Sequence, residues 1–320
     1  MTFFDRSFSV SALLCTVLLG AVIVTTAQVR PPVPRASQKG SVTQTVGTTD
    51  VSIAYSRPAV KGRKIWGDWP TPVAGEATLD NQNTRPAGAP IVPYGHLWRA
   101  GANEATLFTV TDDVLINGQP LAAGKYSFHA IPGKEEWTLV FNKDDGQWGS
   151  FTYDASKDAL RVKTKPQMVT DSQELLSYYI DANAEDSAVV TLRWEKMAVP
   201  FTVKVKDVVG STMTKLRAYA AAAKSDDWQA PFNAANYAKA NKQTEDAAKW
   251  FNQALAAIDE QIKAKPSFQN LTRRSTILLN AGRMQEALAA AEKAVEAGKA
   301  EKADTAALEK RIADIKAGKM

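Results

Sequence analysis

The hydrophobic period of this chain changes at Gly210, and that change limits the fold more than any other feature of the sequence. Before it the apolar residues recur at every second position. Val51, Ile53 and Tyr55 alternate with polar neighbours, as do Trp137, Leu139 and Phe141, then Ala188, Val190, Leu192 and Trp194, then Val199, Phe201, Val203 and Val205. Alternation places one face of a strand against a core and the other toward water. Turn residues fall between these runs: Asn117-Gly118, Gly124 and Pro132-Gly133. Roughly nine or ten such strands, with no helix-length run among them, predict an all-β antiparallel sandwich, jelly-roll-like, over residues 41–209.

After Gly210 the period becomes helical. Residues 211–320 predict an α-helical repeat-like region. Glu245 to Leu255 can be laid over Gln285 to Val295, so that Ala247, Phe251, Ala254 and Leu255 fall on Ala287, Ala291, Ala294 and Val295. That small-large pattern resembles the second helix of a tetratricopeptide hairpin, with Leu278 to Arg283 as the turn. Leu308, Ile312 and Ile315 suit a terminal capping helix.

The N-terminus carries the only long apolar run, Val10 to Val24, followed by Thr25-Thr26-Ala27. A run of this length is short for a membrane span and suits a secretory signal peptide over residues 1–27, cut near Ala27; a retained anchor is the alternative. Cleavage would remove Cys15, the only cysteine, and leave no membrane span. Residues 28–40, rich in proline and polar side chains, predict a linker. The expectation is an exported protein, periplasmic or extracellular.

Composition narrows the chemistry. One cysteine and two histidines exclude a disulfide framework and a multi-Cys or multi-His zinc site, so neither a metal nor a cofactor is expected. The net charge of +5 comes wholly from residues 211–320, where 18 Lys and Arg face 13 Asp and Glu. Spread over helices, that excess makes no nucleic-acid surface. Nucleophile elbows, paired zinc histidines and phosphate loops are also missing, and no catalytic residue is assigned.

Three segments concentrate polar side chains of fixed geometry beside glycine and proline: Tyr55 to Arg63, Val92 to Thr106 and Gly124 to Pro132. Arg57, Lys61, Arg63 and Arg99 are their cations, and Asn103 and Glu104 the dense polar pair. Guanidinium groups make forked contacts to carboxylate, phosphate or sulfate. These residues, with His96 beside them and Tyr94 or Trp98 to stack on a ring, form the candidate site for an anionic or carbohydrate ligand. The plainer alternative is an internal salt bridge from Arg99 or Arg63 to Glu104, tying two strands together. His96 and His129 can equally be packing residues on strand faces.

Taken in order, YSRP, KGR.IWG, VPYG..WRAGANEAT, ING..L.AGKYS, IPG, W..VFN, FTYD and LRVKTKPQ resemble a bacterial exported family carrying domain of unknown function 2911, over about Ser41 to Val205. The resemblance implies an envelope or extracellular location and C-terminal repeat helices; the family has no established activity. This chain departs from the pattern where Asp68 to Ile91 inserts a long polar loop. The leading expectation is a non-catalytic binding module whose helices recruit an envelope protein. An envelope glycan hydrolase using Glu104 and His96, with Asp112 or Asp113 as distant second carboxylates, and a structural scaffold are the alternatives.

Overall fold

A computed structural model describes residues 33–69, 79, 86 and 88–319. The expected signal peptide, the start of the linker and most of the Asp68 to Ile91 insertion lie outside these residues. Twelve strands are present among the described residues, in chain order β1 (Gln38–Val46), β2 (Thr49–Arg57), β3 (Trp66–Gly67), β4 (Val92–Pro93), β5 (Thr106–Val110), β6 (Val114–Ile116), β7 (Gln119–Leu121), β8 (Gly124–Ile131), β9 (Trp137–Asn142), β10 (Asp158–Thr164), β11 (Gln167–Asp181) and β12 (Ser187–Val205). They form an antiparallel sheet of order β1-β2-β5-β8-β9-β10, a second of order β11-β12-β6-β7, and a short parallel pair, β3-β4. Strand structure begins at Gln38, inside the segment expected to be linker.

The alternating residues are buried as their period requires. Val51, Ile53, Trp137, Leu139, Phe141, Val190, Trp194 and Val203 are essentially inaccessible. Rings from the two large sheets meet: Phe201 of β12 lies 5.6 Å from Phe128 and 6.1 Å from Phe108 and Phe141, centroid to centroid. Trp66, Trp98 and Trp194 form a second aromatic group in the same core. Polar side chains join the sheet edges. Arg57 donates to the Leu176 carbonyl (3.0 Å) and to Ser177 Oγ (2.6 Å). Asn117 Nδ2 donates to the Lys163 carbonyl at 2.9 Å. Asn117 and Gly118 both have positive φ, 47° and 82°, as a two-residue hairpin turn of the mirror-image type demands.

Six helices follow: α1 (Val208–Ala221), α2 (Gln229–Ala240), α3 (Thr244–Ala264), α4 (Phe268–Asn280), α5 (Met284–Ala300) and α6 (Ala306–Lys316). Asp207 caps α1 by accepting from the Gly210 amide at 2.8 Å, so helix starts two residues before the glycine at which the sequence pattern changes. The α2–α3 and α4–α5 turns share one hydrogen-bond pattern. Lys242 N reaches the Lys239 carbonyl and Gln243 N the Ala238 carbonyl; forty residues on, Gly282 N reaches Leu279 and Arg283 N reaches Leu278. Ala234, Ala238, Ala247, Ala254 and Ala287 line the helical core around Trp250, Phe251, Leu255 and Leu278.

Helix α1 is seated directly on the strands. Val208 packs against the β core. A side chain at Gly47 would need φ +60° and would place its Cβ 2.9 Å from Val208 Cγ1, so the β1–β2 turn requires glycine there. Lys215 Nζ donates to Asp112 Oδ2 at 2.7 Å and also to the Thr48 carbonyl. Among the described residues no helix is long and apolar enough to cross a membrane.

Candidate functional site

Two irregular segments between strands carry the candidate side chains. After β2, Lys61 and Gly62 take positive φ, 47° and 65°, and close a turn in which the Arg63 amide reaches the Val60 carbonyl at 3.0 Å. The Arg63 guanidinium folds back over this turn and donates to the Val60 (3.1 Å) and Ala59 carbonyls. The Lys61 amide donates to Glu174 Oε1 at 2.9 Å. Arg57, the last residue of β2, is committed to joining β2 and β11 and belongs to the framework.

The second segment runs from β4 into β5 and is held rigidly. Ala100 and Asn103 both occupy the left-handed region, at φ 51° and 60°, a strained choice for alanine. Three groups fix it. Trp98 Nε1 donates to the Gly101 carbonyl at 3.1 Å, and Thr106 Oγ1 (3.0 Å) and the Tyr178 hydroxyl (2.7 Å) both donate to the Ala100 carbonyl. Burial pushes the Tyr178 hydroxyl well above its ordinary pKa, so it stays protonated and donating. A Cβ on Gly101 would come within 2.8 Å of Thr106 Oγ1 and 3.2 Å of the Ser56 carbonyl, so the segment packs too closely for any other residue. Arg99 Nη1 spans the loop to the Asn103 carbonyl at 2.7 Å. Its guanidinium carbon also sits 5.6 Å from the centroid of the Phe151 ring.

Arg63, Trp98, Arg99 and Asn103 come together around one cavity of about 270 Å³, which Trp194 also lines. The Nε1 of Trp194 is buried with no hydrogen-bond partner among the described residues. The same holds for Trp66 and Trp137, but of the three it is Trp194 that lines the cavity. The remaining expected residues lie elsewhere. Arg57 and Lys61 are accounted for above. Tyr94 is half-buried against the β core, and His96 is 6% exposed and lines neither this cavity nor the next. Glu104 turns the other way, pairs with Lys39 at 3.6 Å, and lines a separate cavity of about 190 Å³. The single cleft expected from Arg57, Arg63, Arg99, Asn103 and Glu104 is therefore divided: Arg57 is bonded to β11, and the chain turns at left-handed Asn103 so that Glu104 lines the other cavity.

The stacking role expected of Trp98 is also displaced. Its ring is 5% exposed, lies parallel to Trp194 at 6.0 Å and meets Trp66 edge-on at 5.8 Å. Phe151, 45% exposed beneath the Arg99 guanidinium, is the aromatic face offered to solvent. Sequence reasoning missed it; an aromatic two residues after Gly149 in a polar loop was the available signal. His129 is fully buried, with Nδ1 3.2 Å from Ser150 Oγ and Nε2 3.0 Å from Ser127 Oγ. Asp112, a distant carboxylate in the hydrolase alternative, is bonded to Thr49 at 2.8 Å and to Lys215 at the strand–helix junction. Among the described residues no three His, Cys, Asp or Glu side chains gather as metal ligands would.

Residues 37–203 match the model of a family described as a protein of unknown function, DUF2911. No curated protein and no solved structure matches the chain.

Proposed function

The chain belongs to the DUF2911 family, over residues 37–203, and on that premise we propose that its β part is a binding module for a small anionic ligand, an acidic sugar best of all. The observation that carries this is the Trp194 indole N–H, a buried donor with no acceptor among the described residues, in the wall of a cavity that two arginines also line. An indole can only donate and a guanidinium can only donate. A ligand that answers the indole beside this positive charge must supply acceptors, and a carboxylate or sulfate supplies them with charge. Asn103 also lines the cavity, its side-chain amide donating to the Ser37 carbonyl at 3.1 Å, and Phe151 adds an exposed ring of the kind on which a sugar face rests. Glu104, half of the pair a glycan hydrolase would use, lines the second cavity, and His96 lines neither of the two.

The wider frame is part of the proposal. The contacts of Phe201 with rings of the other sheet support a sandwich. The forty-residue recurrence of the helical turns supports a repeat-like platform that recruits an envelope protein. The apolar run before Ala27 supports export.

Calorimetric titration of the full chain with glucuronate, and with glucose as the neutral counterpart, tests the ligand class. Glucuronate should bind and glucose should not. Arg63→Ala and Arg99→Ala should each weaken glucuronate by about tenfold or more, the scale of one charge-assisted hydrogen bond. Equal binding of the two sugars, or unchanged affinity in both variants, would remove the proposal and leave the cavity as a feature of a scaffold.

A further inference from the structure

The segment that presents Asn103 to the first cavity presents Glu104 to the second, and the chemistry of the second is the reverse of the first. Its floor is apolar, made by Ala54, Tyr55 and Leu107. Its polar side chains include Glu104, Asp145, Gln147 and Lys39. Gln147 is only 5% exposed. Its Nε2 donates to the Asp144 carbonyl at 3.2 Å, and its own carbonyl accepts from the Ala105 amide at 3.0 Å. Those two bonds fix the residue, yet its side-chain Oε1 is buried and receives no donor among the described residues. A buried acceptor left without a donor costs about 1–3 kcal/mol.

We propose that this second cavity binds an organic ammonium or guanidinium group carried on a short alkyl body. The proposal goes beyond the anion site and does not depend on it. Three side chains around the cavity either bear negative charge or require a donor, and an alkylammonium supplies donors, positive charge and an apolar stem together. Lys39 and Lys125 already pair with Glu104 (3.6 Å) and Asp145 (3.1 Å), but both lysines are more than half exposed. Such pairs contribute little and yield readily to a cation held closer. The size agrees: a cavity of about 150 Å³ accommodates a guest as large as benzene, and this one measures about 190 Å³, enough for a four-carbon chain.

Titration of the full chain with n-butylammonium, followed by nitrogen–proton correlation spectra, tests the proposal, with n-butanol and butyrate as the neutral and anionic counterparts. Butylammonium should shift the Gln147 side-chain amide and the backbone amides of Ala105 and Leu107 saturably. Butanol should bind about tenfold more weakly, the loss expected when a charge-assisted hydrogen bond becomes neutral, and butyrate should have no effect. Ala54 is an exposed strand residue, so Ala54→Phe can fill the cavity without disturbing the core and should abolish the shifts. Glu104→Gln should weaken them, and Arg63→Ala, at the other cavity, should leave them unchanged. Equal binding of butanol and butylammonium, unmoved resonances at Gln147, or full binding by Ala54→Phe would each overturn it. Loss of glucuronate binding in a protein that still takes butylammonium would count against the anion site alone.

Discussion

The β part and the helical part bury their cores by opposite means. The strands bring together large rings distant in sequence, Phe108 with Phe201 and Trp66 with Trp194. The helices bring together alanines on neighbouring segments, so that backbones approach closely around a few large side chains. Long-range closure leaves the segments between strands bridged by groups from both sheets. Tyr178 of β11 and Thr106 of β5 grip the same Ala100 carbonyl, and a loop with two left-handed non-glycine residues is thereby kept in shape. In the helical part the α2–α3 and α4–α5 turns repeat one backbone pattern, and single side chains reach the connections, as Lys239 Nζ does the Asn280 carbonyl at 2.6 Å. The candidate site lies in the β part, on a loop whose two left-handed non-glycine residues are held by groups from both sheets.

The sharpest way to break this contrast is to remove a shared ring. Phe128→Ala takes away contacts with Phe141, Tyr178 and Phe201 at once. It should destabilise the β part by about 3–5 kcal/mol in chemical denaturation, the usual cost of a buried Phe-to-Ala cavity. The complementary change belongs to the helices. Ala254 is fully buried in the helical seam, and Ala254→Leu should overpack it at about 1–3 kcal/mol. Hydrogen exchange should show that loss in α2 to α4, with β8 and β9 protected as before. Equal loss of protection in both parts would mean that the two cores unfold as one.

The smallest effect tests the junction. Burial would raise the Asp112 carboxyl, but bonds from Lys215 and Thr49 and the Lys215 charge outweigh it and hold the group below its ordinary 3.8. A folded value below the unfolded one adds stability above about pH 4, and that contribution disappears as the pH falls through the folded value. Asp112→Asn should cost about 1 kcal/mol at neutral pH and flatten this part of the acid unfolding curve. An unchanged acid limb in thermal melts would show that Asp112 does not join strands to helix.

Much of the framework was legible because periodicity is local. Alternation at Val51 to Tyr55 and at Val199 to Val205, the Asn117-Gly118 turn and the helical period after Gly210 all appear as the pattern indicates. The site was legible only in part. Of the residues the motifs singled out, Arg63, Trp98, Arg99 and Asn103 line one cavity. The motifs could not show that Arg57 is spent on Leu176 and Ser177, more than a hundred residues away. Nor could they show that Glu104 faces away from Asn103, or that Trp98 is covered by Trp66 and Trp194 while Phe151 is left exposed. Those outcomes depend on which strands become neighbours, and that is set by non-local pairing.

In the proposed function an acceptor-bearing anion in the cavity beside Arg63 and Arg99 is held by the Trp194 indole. The most direct measurement is the Trp194 indole N–H resonance of the full chain, assigned by its loss in Trp194→Phe and followed through a glucuronate titration. The resonance should shift progressively toward the position of a hydrogen-bonded indole, saturating at the affinity found by calorimetry. A Trp194 resonance that stays in place while the protein saturates with glucuronate would contradict it.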